Sequence, residues 1–133
     1  MKVLEVNLVG PFLLIKKFRN MLTHGMVINI SSTDGINTYS TLSMDYSSSK
    51  AGLINLTKSL ALEFNDIRVY AICPNWVNTE TIKEMNQEYL KEEMERVGQK
   101  TLINPKDISN KILQIIDSNY KTGSIIIMED NND

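Results

Sequence analysis

Tyr46 and Lys50 stand four residues apart in the segment Tyr46-Ser47-Ser48-Ser49-Lys50. On a helix that spacing puts both side chains on one face. A phenol ordinarily ionises near pH 10, and a neighbouring ammonium favours its charged form. Such a pair can give a proton to a carbonyl oxygen, or take one back, nearer neutral pH. A surface tyrosine stacked over a lysine stem has the same spacing, so the pair alone does not settle the chemistry. Ser32 adds to it. It lies fourteen residues before Tyr46, directly after Val27-Ile28-Asn29-Ile30-Ser31. If that run is a parallel strand, Ser32 leaves its carboxyl end, where open sheets bind ligands. A hydroxyl there can hydrogen-bond a substrate oxygen as charge develops on it. The plain alternative is a loop serine that shapes a turn.

These residues need elements to hold them. Val3, Val6, Phe12, Leu13 and Ile15 suit a helix interrupted near Gly10-Pro11. His24-Gly25 reads as a turn, and Met26 to Ile30 as a short buried strand. A polar loop from Ser31 to Ser43 leads into a long helix from Met44 to Phe64. Arg68 to Cys73 reads as a second buried strand, stopped by Pro74. The charged stretch from Thr79 to Lys100 is helical in propensity; Glu80 to Lys100 suits a lid over a site, while most of its individual charges read as a solvated helix face. Asn104-Pro105-Lys106-Asp107 carries the signature of a helix start. Ile108, Ile112, Leu113, Ile115 and Ile116 would be that helix's buried face, and Ser124 to Met128 a last strand. Alternating helices and strands predict an α/β fold: three parallel strands, covered by helices, as part of a Rossmann-like sheet.

The strings NISSTDG, YSSSKAGLINLTKSLALEF and IRVYAICPNWVNTE resemble the short-chain dehydrogenase/reductase family, as do EVNLVGPFLL before them and TGSIIIM near the end. Within it, the chain is most similar in feel to 3-oxoacyl-acyl-carrier-protein reductases. The resemblance implies hydride transfer between a nicotinamide, from NAD or NADP, and a small-molecule carbonyl or secondary alcohol. It makes Tyr46 the general acid or base. Lys50 lowers the Tyr46 pKa and holds the nicotinamide ribose, and Ser32 orients the carbonyl. Asn7 would complete a tetrad by supporting a water relay to Lys50. Pro11 supplies a physical reason, since it has no N–H to give the Asn7 carbonyl four positions earlier. A helix that starts only at Gly10-Pro11 would leave Asn7 in the preceding turn. Pro74, Val77 and Thr79 match the family's loop around the nicotinamide carboxamide. Trp76 reads as a wall of the site and Cys73 as an inert buried thiol.

The glycine-rich turn that receives the pyrophosphate in this family is absent from the 133 residues. Residues 1–133 therefore read as a truncated domain, the catalytic half without its nucleotide-binding half. Asn75 stands where the family has Gly, and Met128 to Asp133 replaces the usual Asp-Gly-Gly. Asn tolerates left-handed backbone angles, but its side chain could crowd the nicotinamide. Without preceding strands, Met26–Ile30 would present an open edge. Association with a second copy, or with a missing N-terminal half, is expected, through the helices that usually build the family's dimer interface. A catalytically inactive remnant, serving as an interaction module, is the main alternative to an oxidoreductase. A methyltransferase-like half is a third reading, disfavoured by Ser32, Tyr46 and Lys50.

Composition excludes other classes. With 14 basic and 16 acidic residues the net charge is -2, and no basic patch interleaved with aromatics suggests nucleic acid. One cysteine and one histidine, Cys73 and His24, give neither a disulfide nor a metal site and fit a cytoplasmic protein. No membrane-spanning apolar run and no cleavable leader are expected.

Overall fold

The computed structural model describes residues 2–130. Three parallel strands, β1 (Met26–Ile30), β2 (Arg68–Pro74) and β3 (Ile125–Met128), lie side by side in chain order. Their register pairs Met26 with Arg68 and Ala71 with Ile125. The first crossover is α3 (Met44–Glu63). The second holds α4 (Glu80–Lys83), α5 (Gln87–Val97) and α6 (Pro105–Asp117). The predicted α/β layout is the one observed.

The central strand β2 has helices on both faces, which explains its unbroken apolar run. Tyr70 and Ile72 point into a core with Ile103, Ile115 and Met128, beneath Ile108 and Ile112 of α6. Ala71 and Cys73 point the other way, against Ile54 of α3. The α6 start forms as expected, with Asn104 Oδ1 accepting the Lys106 N–H at 3.0 Å and Pro105 at the first helical position. Its apolar face is narrower than expected. Leu113 and Ile116 are 59% and 47% exposed, because Ile108, Ile112 and Ile115 already fill the sheet-facing stripe.

Two boundaries differ from the sequence expectation. β2 runs through Pro74, which pairs with Met128. In a parallel ladder successive N–H groups alternate between neighbours. Asn75 N–H reaches Met128 O at 2.9 Å, so the missing N–H of Pro74 faces the other side, past the end of β1. No ladder bond is lost there. The first helix is also not interrupted at Gly10-Pro11. Lys2–Leu4 (α1) continues through a π-helical stretch, Glu5–Val9, into α2 (Gly10–Phe18). Gly10 N–H bonds Glu5 O, five residues back. The extra residue in that turn makes room for the Pro11 ring, which would otherwise press on the Asn7 carbonyl. Asn7 thus sits within the helix, not in a turn before it.

The α2 end is anchored by Arg19. Its guanidinium donates to both oxygens of Asp66, at 2.7 and 3.2 Å, and lies 4.5 Å from the Phe64 ring centroid. His24 forms the expected turn, with φ 62°. Much of the apolar surface of the first helix is bare: Phe12, Leu13 and Leu14 are 46%, 53% and 59% exposed. Among the described residues, β1 is an edge of the sheet. The expectation for the final residues, Asn131 to Asp133, lies outside the described residues.

Candidate active site

The loops leaving the carboxyl ends of β1 and β2 enclose a cavity of about 410 Å³. Ser32, Tyr46, Lys50, Pro74, Val77 and Thr79 all line it. Six of the seven residues singled out from the sequence therefore meet at one opening. The seventh, Asn7, is not on the wall. Its side-chain amide donates to Ser49 Oγ at 3.2 Å, and Ser49 Oγ donates to Tyr46 O at 2.6 Å. Asn7 thereby touches the α3 segment that carries Tyr46 and Lys50, from behind.

Small residues let the β1 loop lie flush against α3. Ser31 Oγ donates to Lys50 O at 2.8 Å, and Gly35 passes so close that a Cβ would stand 2.7 Å from the Ala51 nitrogen. The loop makes one 3-10 turn, Thr33–Gly35, capped by Ser32. Asp34 N–H donates to Ser32 Oγ at 3.1 Å. That bond occupies a lone pair of the hydroxyl and leaves its proton available to the Tyr46 phenol or to a group in the cavity.

Tyr46 and Lys50 share a helix face, and the ammonium lies 5.6 Å from the phenol ring centroid. Burial pushes the Tyr46 phenol above its ordinary value. The hydrogen bond with Ser32 works against that, and the Asp34 carboxylate adds to it. Burial pulls the Lys50 ammonium down, and the nearby Cys73 opposes the shift. Lys50 Nζ donates to Ile30 O at 2.8 Å, at the end of β1. Cys73 is fully buried and its thiol is pushed up to about 11. At neutral pH it is a protonated, unreactive group.

Asn75 does not occupy the left-handed region; His24 alone among described non-glycine residues has positive φ. A glycine is not needed there for backbone reasons. Its side chain turns sideways instead, linking Thr33 Oγ1 and, through Nδ2 at 3.2 Å, Glu129 O. One amide therefore ties the loops after all three strands.

Several residues on the site carried no usable signal in the sequence. Gln99, 5% exposed, accepts the Trp76 N–H at 3.0 Å and donates to Trp76 O at 2.9 Å and Thr101 O at 2.8 Å. It fixes the loop that carries Val77 and Thr79, helped by the bridge between Val77 and Ile103. Asp130 accepts from the Lys100 and Thr101 amides, at 3.2 and 2.8 Å, steadying the next turn. Ile82, Tyr89, Glu93 and Val97 of α4 and α5 also line the cavity. The charged Thr79 to Lys100 stretch does cover the site. Arg96 holds it down, pairing with Glu93 at 2.7 Å and donating to Thr38 O and Tyr39 O.

A family model described as enoyl-(acyl carrier protein) reductase matches residues 1–130. The chain is 33% identical to a 3-oxoacyl-acyl-carrier-protein reductase of Aquifex aeolicus, over 94% of this chain and 53% of the relative. Among solved structures it resembles an apo SCOR enzyme from Clostridium thermocellum, with TM-score 0.77 and 33% identity over 98% of this chain and 51% of the other. It also resembles 4-hydroxyisoleucine dehydrogenase complexed with NADH and succinate, with TM-score 0.77 and 31% identity over 95% and 55%. The chain spans about half the length of the curated relatives it matches. Among the described residues no helix is long and apolar enough to cross a membrane, and no cluster of His, Cys, Asp and Glu could hold a metal ion.

Proposed function

This chain belongs to the short-chain dehydrogenase/reductase family, and we propose from that premise that it carries the reacting half of an NAD(P)-dependent oxidoreductase. The substrate is a small-molecule carbonyl compound or secondary alcohol, with 3-oxoacyl thioesters one class within it. The observation that carries the reading is the convergence of Ser32, Tyr46 and Lys50 on one cavity with Pro74, Val77 and Thr79.

The cavity fits the nicotinamide end of the cofactor. It offers an ammonium for ribose hydroxyls at Lys50, a hydroxyl for the carboxamide at Thr79, and the apolar surfaces of Pro74 and Val77 for the ring. When bound, the nicotinamide supplies or accepts the hydride. The chain's own residues handle the proton. In reduction Ser32 donates a hydrogen bond to the substrate oxygen, and Tyr46 gives that oxygen its phenolic proton. In oxidation Tyr46 takes the proton back. Burial raises the resting phenol and Ser32 opposes that; Lys50, on the same helix face, would stabilise the phenolate as it forms. Asn7 supports the arrangement from the rear of α3, through Ser49 or through a water on its carbonyl.

The adenosine end is different. No glycine-rich strand-to-helix turn occurs among the 133 residues. A second reading follows, in which residues 1–133 act as a catalytic half that works in a homo-oligomer or against a nucleotide-binding half supplied from outside these residues. The β1 edge and the exposed Phe12, Leu13 and Leu14 favour it. A catalytically silent interaction module is its limiting case.

NADH and NADPH titrations, followed by turnover of a ketone, test the first reading. Expected are a fluorescence change on binding and turnover that Tyr46→Phe abolishes while binding persists. Turnover that survives Tyr46→Phe would overturn it. Absence of cofactor binding, with a defined oligomer by sedimentation, would favour the interaction reading.

A further inference from the structure

The cavity has a carboxylate beside its reacting groups that none of the proposed chemistry uses. Asp34 lines the wall next to Ser32, and its backbone N–H holds the Ser32 hydroxyl at 3.1 Å. Asp34 Oδ1 accepts from the Thr38 hydroxyl at 2.6 Å. Its other oxygen has no hydrogen-bond partner among the described residues, and none of their basic side chains forms an ion pair with it.

The other charges around the cavity are already engaged. Glu93 faces Arg96, which donates to both its oxygens through Nε at 3.1 Å and to Oε2 through Nη2 at 2.7 Å. The Arg96 Nη1 group goes to the carbonyls of Thr38 and Tyr39, at 3.4 and 3.2 Å. Arg96 influences Asp34 only at longer range. Lys50, the one cation on the wall, donates to Ile30 O. Formal charges of Asp34, Glu93, Lys50 and Arg96 cancel, yet the two cations are committed elsewhere. The carboxylate two residues from Ser32, on the same turn, is the one left open. An open carboxylate on a cavity wall attracts a cation that enters, and partial exclusion of water strengthens that attraction.

We propose that Asp34 is a specificity residue that selects carbonyl or secondary-alcohol substrates bearing a protonated amine close to the reacting carbon, and disfavours those bearing a carboxylate there. This rests on the oxidoreductase reading and narrows its substrate class. With the substrate oxygen at Ser32 and Tyr46, an ammonium one or two carbons away lies within reach of a side chain only two residues along the same turn. Ser40, Ser43 and Tyr89 on the same wall add hydroxyls suited to the remaining N–H groups.

The lone tryptophan, Trp76, lines the cavity and reports occupancy directly. The full chain is titrated with three secondary alcohols of nearly equal size: 1-amino-2-propanol, 2-butanol and lactate. Expected is binding of the amino alcohol about fivefold or more tighter than 2-butanol, with lactate weakest, as one partly screened ion pair would give. Asp34→Asn should bring the amino alcohol level with 2-butanol. High salt should shrink the preference in the unmodified chain, a readout that needs no variant to fold. Equal affinities in the unmodified chain, or a preference that survives both Asp34→Asn and salt, would overturn the assignment while leaving the oxidoreductase reading intact. Failure of all three to perturb Trp76 would overturn the cavity as an alcohol site, and this assignment with it.

Discussion

Replacing Gly35 by alanine probes how the β1 loop positions Ser32 against Tyr46. The φ at Gly35 is not in the left-handed region, so the change adds no backbone strain of its own. Its effect is steric. The new methyl would stand 2.7 Å from the Ala51 nitrogen and 2.7 Å from the Lys50 carbonyl carbon, where heavy atoms ordinarily rest about 3.5 Å apart. The obstacle is helix backbone, not the end of a flexible side chain. The 3-10 turn must therefore withdraw by roughly 0.8 Å. Overpacking of this kind costs about 1–3 kcal/mol. The same retreat strains the Ser31-to-Lys50 bond and carries Ser32 away from the phenol. A displacement near 1 Å at reacting groups costs turnover about 10²-fold. Denaturant unfolding measures the first effect, and the secondary-alcohol titrations read at Trp76, with turnover, measure the second. Gly98→Ala is the control: its φ is 73° with no atom within 4 Å of the added Cβ. It should lose about 1 kcal/mol from backbone strain and leave the cavity unchanged. The reasoning fails if Gly35→Ala unfolds within about 0.5 kcal/mol of the unmodified chain and binds alcohols as well.

Other expectations follow from the same contacts. Gln99→Ala leaves the Trp76 N–H and the Thr101 carbonyl without their buried partner and should cost about 2–3 kcal/mol, with a shift in Trp76 emission; an unmoved emission band would contradict the clamp. Cys73 keeps its proton up to about pH 11 when folded but sheds it from its ordinary value of 9.0 when unfolded. The unfolded state binds fewer protons in that window, so stability should fall between pH 9 and 11, approaching about 1.4 kcal/mol per pH unit. Cys73→Ala should remove this component, and parallel curves for the two proteins would refute it. Asp66→Asn weakens a pair whose side chains are 35% and 29% exposed, so a loss of about 1 kcal/mol that shrinks with salt is expected in thermal melts.

The sequence alone determined the parts governed by short-range periodicity. Tyr46 and Lys50 share a face because four residues complete roughly one helical turn, and β2 reads as buried because its apolar run has no polar alternation. The capped start of α6 follows from Asn104 and Pro105 by the same local logic. Pattern could not say which apolar faces find a partner: Leu113 and Leu13 fit helical stripes yet stand largely in solvent. The interruption expected at Pro11 became a π turn, because a helix with tertiary support can widen around a proline instead of stopping. Only the folded chain decided that Asn75 bridges Thr33 and Glu129, that Gln99 holds Trp76, and that Arg96 engages Glu93 but leaves Asp34 open. Asn75 and Glu129 are 54 residues apart in sequence. Their bond exists only after three strands align and bring their loops to one end of the sheet, and no local preference encodes that closure.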